Sequence, residues 1–224
     1  MTLAEIILSI QTRSGDSNIT EATITGWVNT ALRLIANRDD WSWLMKVDED
    51  DVTVANQQEY ALPTDLKKMY SLRVGDTTST ETTATQYSFL GYGEKNMAIN
   101  NDVDHCYYIN PASSKYGLIP TPAAANYKVF QKYFGYPTTV SCVSATPDMP
   151  TQYHDMLVDF GLARYFEQED EMDKTVLYET KLENAIEKMK TDFPATGYLG
   201  RMRDIRELAA DNNYQQYNIV GLGR

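Results

Sequence analysis

Two histidines and two cysteines are the residues whose types could hold a metal or move a proton: His105, Cys106, Cys142 and His154. Structural zinc sites draw their ligands from closely spaced pairs of such residues. Here the adjacent pair is His105-Cys106, and neighbours on a strand point to opposite faces. Both cysteines therefore read as small buried residues. A disulfide between them is not expected in a reducing compartment. His154-Asp155 has the types for acid–base work, but a lone histidine at a helix start reads as a hydrogen-bonded structural residue. The run Glu167-Gln168-Glu169-Asp170-Glu171 could attract a cation. Its spacing is not that of an EF-hand loop, and a solvated acidic face is the simpler reading. With 31 acidic residues some carboxylates must lie close together, as glycan hydrolysis requires, yet nothing selects one pair. No Walker loop, Gly-x-Gly-x-x-Gly, Gly-x-Ser-x-Gly or His-Glu-x-x-His motif occurs. No catalytic residue, metal or cofactor is expected.

The charge balance narrows the partners. Net charge is −11, with 20 basic against 31 acidic residues. Tight nucleic-acid binding rests on Lys and Arg neutralising phosphates, so this chain is a poor candidate for gripping DNA. An acidic or neutral surface would let DNA pass without sticking. No apolar run approaches the roughly 18 residues that span a membrane. The segment Met1–Ile10 contains Glu5 and lacks a basic region, so it does not read as a signal peptide. The expected compartment is the cytoplasm.

The elements that must position these residues come in three blocks. Leu3, Ile6, Ile7 and Ile10 recur at helical spacing, giving a helix over residues 2–12. Thr20 can cap a second helix whose stripe is Ile24, Trp27, Val28, Ala31 and Ile35, ending near Asn37–Asp40. Trp41-Ser42-Trp43-Leu44 reads as core that staples this helix to the β block. Residues 52–74 read as β structure: Val52 and Val54 alternate with polar neighbours, Ala55–Gln58 is a turn, Glu59–Pro63 returns, and a tight turn at Thr64–Lys68 leads into Met69–Val74. Thr77–Thr85 is a threonine-rich loop or hairpin tip, and Tyr87–Tyr92 could be a short helix beneath it. Further strands are expected at Asp104–Asn110, Gly117–Pro120 and Tyr127–Phe134. The last has aromatics on both faces, as a strand covered on both sides would. Met149-Pro150-Thr151 switches the pattern back to period 3.6, with Pro150 at a helix start and Thr151 as cap. Tyr153, Met156, Leu157, Phe160, Ala163 and Arg164 set one helix face. Val176, Leu177, Leu182, Ile186 and Met189 are the apolar positions of another helix over Asp173–Asp192, stopped at Phe193-Pro194. A short helix at Gly200–Ala210 comes next. Asp211–Arg224 is rich in Asn, Gln, Tyr and Gly without periodicity, an arm lacking its own core.

The fold class expected is mainly α with an inserted β region (α+β), a helical bundle carrying a small antiparallel sheet. Residues 1–47 and 149–193 supply the bundle helices, 48–148 the β-rich insertion and 194–224 the C-terminal arm.

Four separated stretches carry a resemblance. They are Arg38-Asp39-Asp40-Trp41-Ser42-Trp43-Leu44, Gln58-Glu59-Tyr60-Ala61-Leu62-Pro63-Thr64-Asp65-Leu66, Ile119-Pro120-Thr121-Pro122 leading to Tyr127-Lys128-Val129-Phe130-Gln131-Lys132-Tyr133, and Met149–Val158. In this order and spacing the chain resembles the head-to-tail adaptor (connector) proteins of short-tailed bacteriophages, over roughly residues 20–190. The resemblance implies a structural virion protein at the head–tail junction, assembled in the host cytoplasm. It implies binding to the portal protein, a dodecameric ring of neighbouring adaptor subunits extending the DNA channel, and a platform for a downstream tail or nozzle protein. DNA would pass without sequence-specific binding, and no membrane is involved. Within the arm, Tyr214, Tyr217, Ile219, Val220 and Leu222 are the expected partner-binding residues, because so short and polar a segment cannot bury them itself. Two other readings stay open: a carboxylate-based cell-wall glycan hydrolase, and a generic binding module of another complex.

Overall fold

The computed structural model describes residues 1–94 and 105–193. Among them are four α-helices: α1 Leu3–Ser14, α2 Glu21–Arg38, α3 Asp155–Gln168 and α4 Met172–Asp192. Local chemistry explains their ends. Thr2 and Glu5 form a reciprocal capping box at the start of α1, and Gly15 ends it with φ 76°, a backbone state that glycine tolerates best. Thr20 Oγ1 accepts the Thr23 N–H at 3.2 Å and caps α2. The cap expected at Thr151 does not form. Residues Thr151–Tyr153 make a 3-10 turn instead, and α3 starts only at Asp155.

Helix α3 is the hub of the helical layer and is packed by α1, α2 and α4. Met156, Leu157, Val158, Phe160, Leu162, Ala163 and Phe166 are all buried, so this helix is apolar nearly all round rather than along one stripe. Gly161 lets Ile10 of α1 come close; a Cβ there would overlap the Ile10 Cδ1 methyl. Backbone groups tie the layer to its loops. Leu3 and Ala4 donate to Ala145 and Val143 carbonyls at 2.8 and 2.9 Å. Asn29 exchanges two hydrogen bonds with the Val140 backbone, at 2.8 and 2.9 Å.

The other layer overturns the expected small antiparallel sheet on a bundle. Seven strands, β1 Met45–Asp48, β2 Glu59–Ala61, β3 Leu66–Gly75, β4 Thr85–Leu90, β5 Cys106–Asn110, β6 Lys115–Ile119 and β7 Lys128–Gly135, form one mixed sheet. Its order is β1-β7-β3-β4-β5-β6-β2, and it curls into a half-barrel, giving an α+β fold with a substantial sheet. Every pairing is antiparallel except β4 with β5. Two register shifts in β3 against β7 accompany the curl, as bulges bend and twist the strand that carries them.

The sheet is large because it has a core of its own. Tyr60, Met69, Leu72, Tyr107, Tyr116, Leu118, Val129 and Tyr133 pack together, with Tyr60 and Tyr116 stacked at 5.5 Å. A separate core joins the helices to Trp41, Leu44, Phe134 and Val140. Strand β7 serves both, since Tyr133 packs into the sheet core and Phe134 into the helical one. Two strands differ from the sequence reading. Residues 85–90 are a strand, not a short helix: Tyr87 and Phe89 alternate with polar Gln86 and Ser88, a period of two. Residues 45–48 pair with β7 although four residues are too few to display a period. Conversely, Val52 makes only an isolated bridge with Lys128. The turn expected at Thr64–Lys68 is shorter, because β3 begins at Leu66.

Candidate interaction surface

The residues with chemical potential do not converge. His154 is buried at the head of α3; its Nε2 lies 2.9 Å from the Met149 carbonyl and its Nδ1 2.7 Å from the Met1 amine. Those contacts fit a ring that donates from Nε2 and accepts at Nδ1, which is a structural use. His105 is exposed, has φ 57° and sets its ring edge-on to Tyr87 at 5.4 Å. Cys106 is buried on β5, whereas Cys142 is exposed, against the expectation that both are buried. The Cys142 side chain lies in a surface loop, 3.1 Å from the Ser144 hydroxyl. Its thiol is held below the usual range by that contact. In the acidic run, Glu167 pairs with Arg164 and Glu171 with Lys174, both at i,i+3 along the helices. Among the described residues no three His, Cys, Asp or Glu side chains gather as metal ligands would.

The polar chemistry that the fold does concentrate is a set of tyrosine–carboxylate pairs, which the sequence reading missed. Tyr116 donates to Asp51 at 3.2 Å, Tyr108 to Glu59 at 3.2 Å, Tyr133 to Asp65 at 3.0 Å and Tyr153 to Asp192 at 2.5 Å. Burial, with the adjacent carboxylate adding to it, pushes the Tyr108 and Tyr133 hydroxyls up to about 12 and Tyr116 higher still. They are therefore fixed donors at any ordinary pH. Asp51 is raised, first by burial and then by Asp48 and Asp50, although Tyr116 and Gln131 hydrogen bonds oppose the rise. Gln131 gives its amide N–H to Asp51 at 2.7 Å, while its buried Oε1 has no hydrogen-bond partner among the described residues. Asp65 lies below the usual range: burial opposes ionisation, but Lys46 at 2.7 Å and the Tyr133 hydroxyl outweigh it. Tyr116 and Tyr133 tie strands to loops, Tyr108 ties β5 to β2, and Tyr153 ties the turn before α3 to the end of α4. The sequence signal that could have found most of them is the concentration of tyrosine in the β block, ten of the chain's 16, among acids.

What the molecule offers a partner is surface. On the sheet side a groove of about 450 Å³ runs between Val74, Tyr87 and His105 on one flank and Pro120, Pro122 and Tyr127 on the other. On the helical side a groove of about 250 Å³ lies between α2 and α4. Phe160, Ala163 and Arg164 of α3 line it, with Ala31, Leu34, Ile35 and Arg38 of α2 and Glu179, Leu182, Glu183 and Ile186 of α4. Arg38 and Glu183 bridge it at 2.6 Å. Val176 and Leu177, expected as apolar positions of α4, point out at 57 and 51% exposure; Ile186 and Met189 are buried. The expected partner-binding residues Tyr214, Tyr217, Ile219, Val220 and Leu222, like the helix expected at 200–210, lie outside the described residues.

No helix among the described residues is long and apolar enough to cross a membrane. No curated protein matches the chain. A family model, described as SU10 adaptor protein, matches residues 1–204, all but the last 20 positions of the sequence. A match of that extent covers both the helical layer and the curled sheet, and the chain belongs to the SU10 adaptor family, a family of bacteriophage adaptor proteins.

Proposed function

We propose that this phage adaptor joins the portal to the tail at the head–tail junction. It would assemble there as a ring, dodecameric as the resemblance implies, that extends the DNA channel and presents a platform to the next tail or nozzle protein. The observation that carries this reading is the family match over residues 1–204. Composition agrees with it. A chain of net charge −11 is suited to a channel past which DNA slides, since phosphates are repelled rather than held. In this proposal residues 1–47 and 149–193 with the 48–148 insertion form the ring body, and 194–224 is the arm. Tyr214, Tyr217, Ile219, Val220 and Leu222 contact the portal or a neighbouring subunit, weakly in one copy and strongly when repeated around the ring. The free chain would be largely monomeric, with the portal as template.

The experiment is co-sedimentation of the purified chain with portal rings. Full-length protein should attach, and a chain lacking residues 211–224 should melt at nearly the same temperature yet fail to attach. Equal attachment of the truncated chain would exclude the arm as the anchor. A stable high-order ring of the isolated protein at about micromolar concentration would exclude templated assembly.

A further inference from the structure

The sheet has an open edge that continues past β1. In the strand order β1 is terminal, so β7 pairs only one of its sides. After β1 ends the chain stays beside β7. The Asp51 carbonyl accepts the Val129 N–H at 2.9 Å, and the Thr53 N–H donates to the Tyr127 carbonyl at 2.8 Å. Val52 lies between these two bonds, opposite Lys128. In an antiparallel ladder the residue between two such bonds turns its own N–H and carbonyl the other way. Both backbone groups of Val52 therefore face away from the sheet, and neither has a hydrogen-bond partner among the described residues. Two residues on the edge is closed, because the Tyr60 hydroxyl accepts the Val54 N–H at 3.1 Å.

The side chains along this edge are of two kinds. Val47, Val52 and Val54 are each nearly half exposed. Between the first two stand Asp48, Glu49 and Asp50, none with an ion-pair partner among the described residues. An open hollow of about 570 Å³ lies beside them, lined by Lys46, Val47, Asp48, Glu49, Asp50 and Tyr133. Its one cation, Lys46, is held by Asp65 at 2.7 Å. Charges of one sign on an edge strand keep like-charged strands from pairing with it. A strand of opposite charge meets no such barrier.

We propose that this edge binds an extended segment of a partner protein that carries lysine or arginine, adding a strand beside Val52 and β1. One residue of the segment exchanges both of its backbone bonds with Val52. Alternate apolar side chains lie against the exposed valines, and the cations enter the hollow at Asp48, Glu49 and Asp50. A second copy of this chain is a poor occupant, since each copy carries a net charge of −11. The inference goes beyond the portal reading and does not depend on it. Charge and an extended backbone define the occupant, whichever protein bears it.

The test is a titration of the full chain with an end-blocked nonapeptide that alternates valine with threonine and has lysines at one end. Amide exchange is followed by NMR. Exchange at the Val52 amide should slow about tenfold near saturation, and the same peptide with glutamates for lysines should bind about tenfold more weakly. Val52→Pro removes the outward N–H and none of the bonds to β7. It should leave the melting temperature nearly unchanged and abolish binding of the peptide. A triple variant, Asp48→Asn with Glu49→Gln and Asp50→Asn, should erase the preference for lysine over glutamate, and it decides the matter if the proline variant fails to fold. Unchanged exchange at Val52, equal binding of the two peptides by the natural chain, or a triple variant that still prefers lysine would each overturn the proposal. So would undiminished binding by a folded proline variant. A dimer that protects the Val52 amide without peptide would overturn it in favour of a second copy. None of these readouts involves the portal, so they stand or fall apart from attachment.

Discussion

The Lys67 ammonium donates to the Ala36 carbonyl at 2.7 Å, so a strand of the sheet closes the C-terminus of a helix in the other layer. The same nitrogen reaches the Asp39 carbonyl at 2.5 Å and the Asp40 carboxylate at 3.2 Å. The last carbonyls of a helix lack intrahelical partners and carry the negative end of its dipole. One nearly buried lysine on β3 thus satisfies the end of α2 and holds the two layers together. Lys67→Met should lower stability by about 2 kcal/mol, through orphaned carbonyls and a half-paired Asp40. Urea unfolding checks it; an unchanged midpoint would show that water replaces the ammonium.

A crowded glycine sits in the sheet. At Gly117 on β6, an added Cβ would overlap the ring of Tyr108, the side chain that donates to Glu59. Gly117→Ala should therefore displace that ring and cost about 1–3 kcal/mol. The measurement is the thermal midpoint. At Gly161 the obstructing atom is a single terminal methyl of Ile10, and alanine also favours the helix there, so Gly161→Ala should cost less than Gly117→Ala.

His154 is expected to act on stability. Its removal opens space at a fully buried position and leaves the Met149 carbonyl without its partner. His154→Ala should cost on the order of 2–4 kcal/mol. If attachment to the portal, measured well below the melting temperature, fell with no loss of stability, the structural role would be refuted.

Acid should act in two directions. Asp40 is depressed, since Lys68 and Lys67 outweigh the burial that opposes ionisation. Asp65 is depressed by Lys46 and Tyr133 in the same way. Both therefore contribute stability above their ordinary carboxylate value of 3.8, lost as pH falls through the lower folded values. Asp51 and Asp159 are raised by burial, so their contribution is present at low pH and fades as pH rises through their folded values. Asp65→Asn should flatten the loss of stability in acid. Asp51→Asn should flatten the fall from about pH 4 toward neutrality. Denaturant midpoints across this pH range check both signs.

The sequence by itself determined the features that depend on near neighbours. The four helices lie where apolar residues recur at 3.6 spacing, Thr20 caps where a capping residue stands, and Trp41 is core because its indole can reach back to the Ile35 carbonyl, at 2.6 Å. The four spaced motifs also sufficed to place the chain among phage adaptors. Only the tertiary structure decided the sheet. Strand β1 is four residues long and exists because β7 supplies its hydrogen bonds. The parallel pairing of β4 with β5 leaves no local signature, and the size of the sheet reflects a tyrosine core assembled from five strands spread over residues 59–135. Periodicity likewise placed Val176 and Leu177 among the apolar positions of α4 but could not say that α3 covers only the opposite side. Helix hydrogen bonds close within four residues, whereas ladders, covered faces and tyrosine–carboxylate pairs close between residues far apart. The first can be counted along the chain; the second exist only once it has folded.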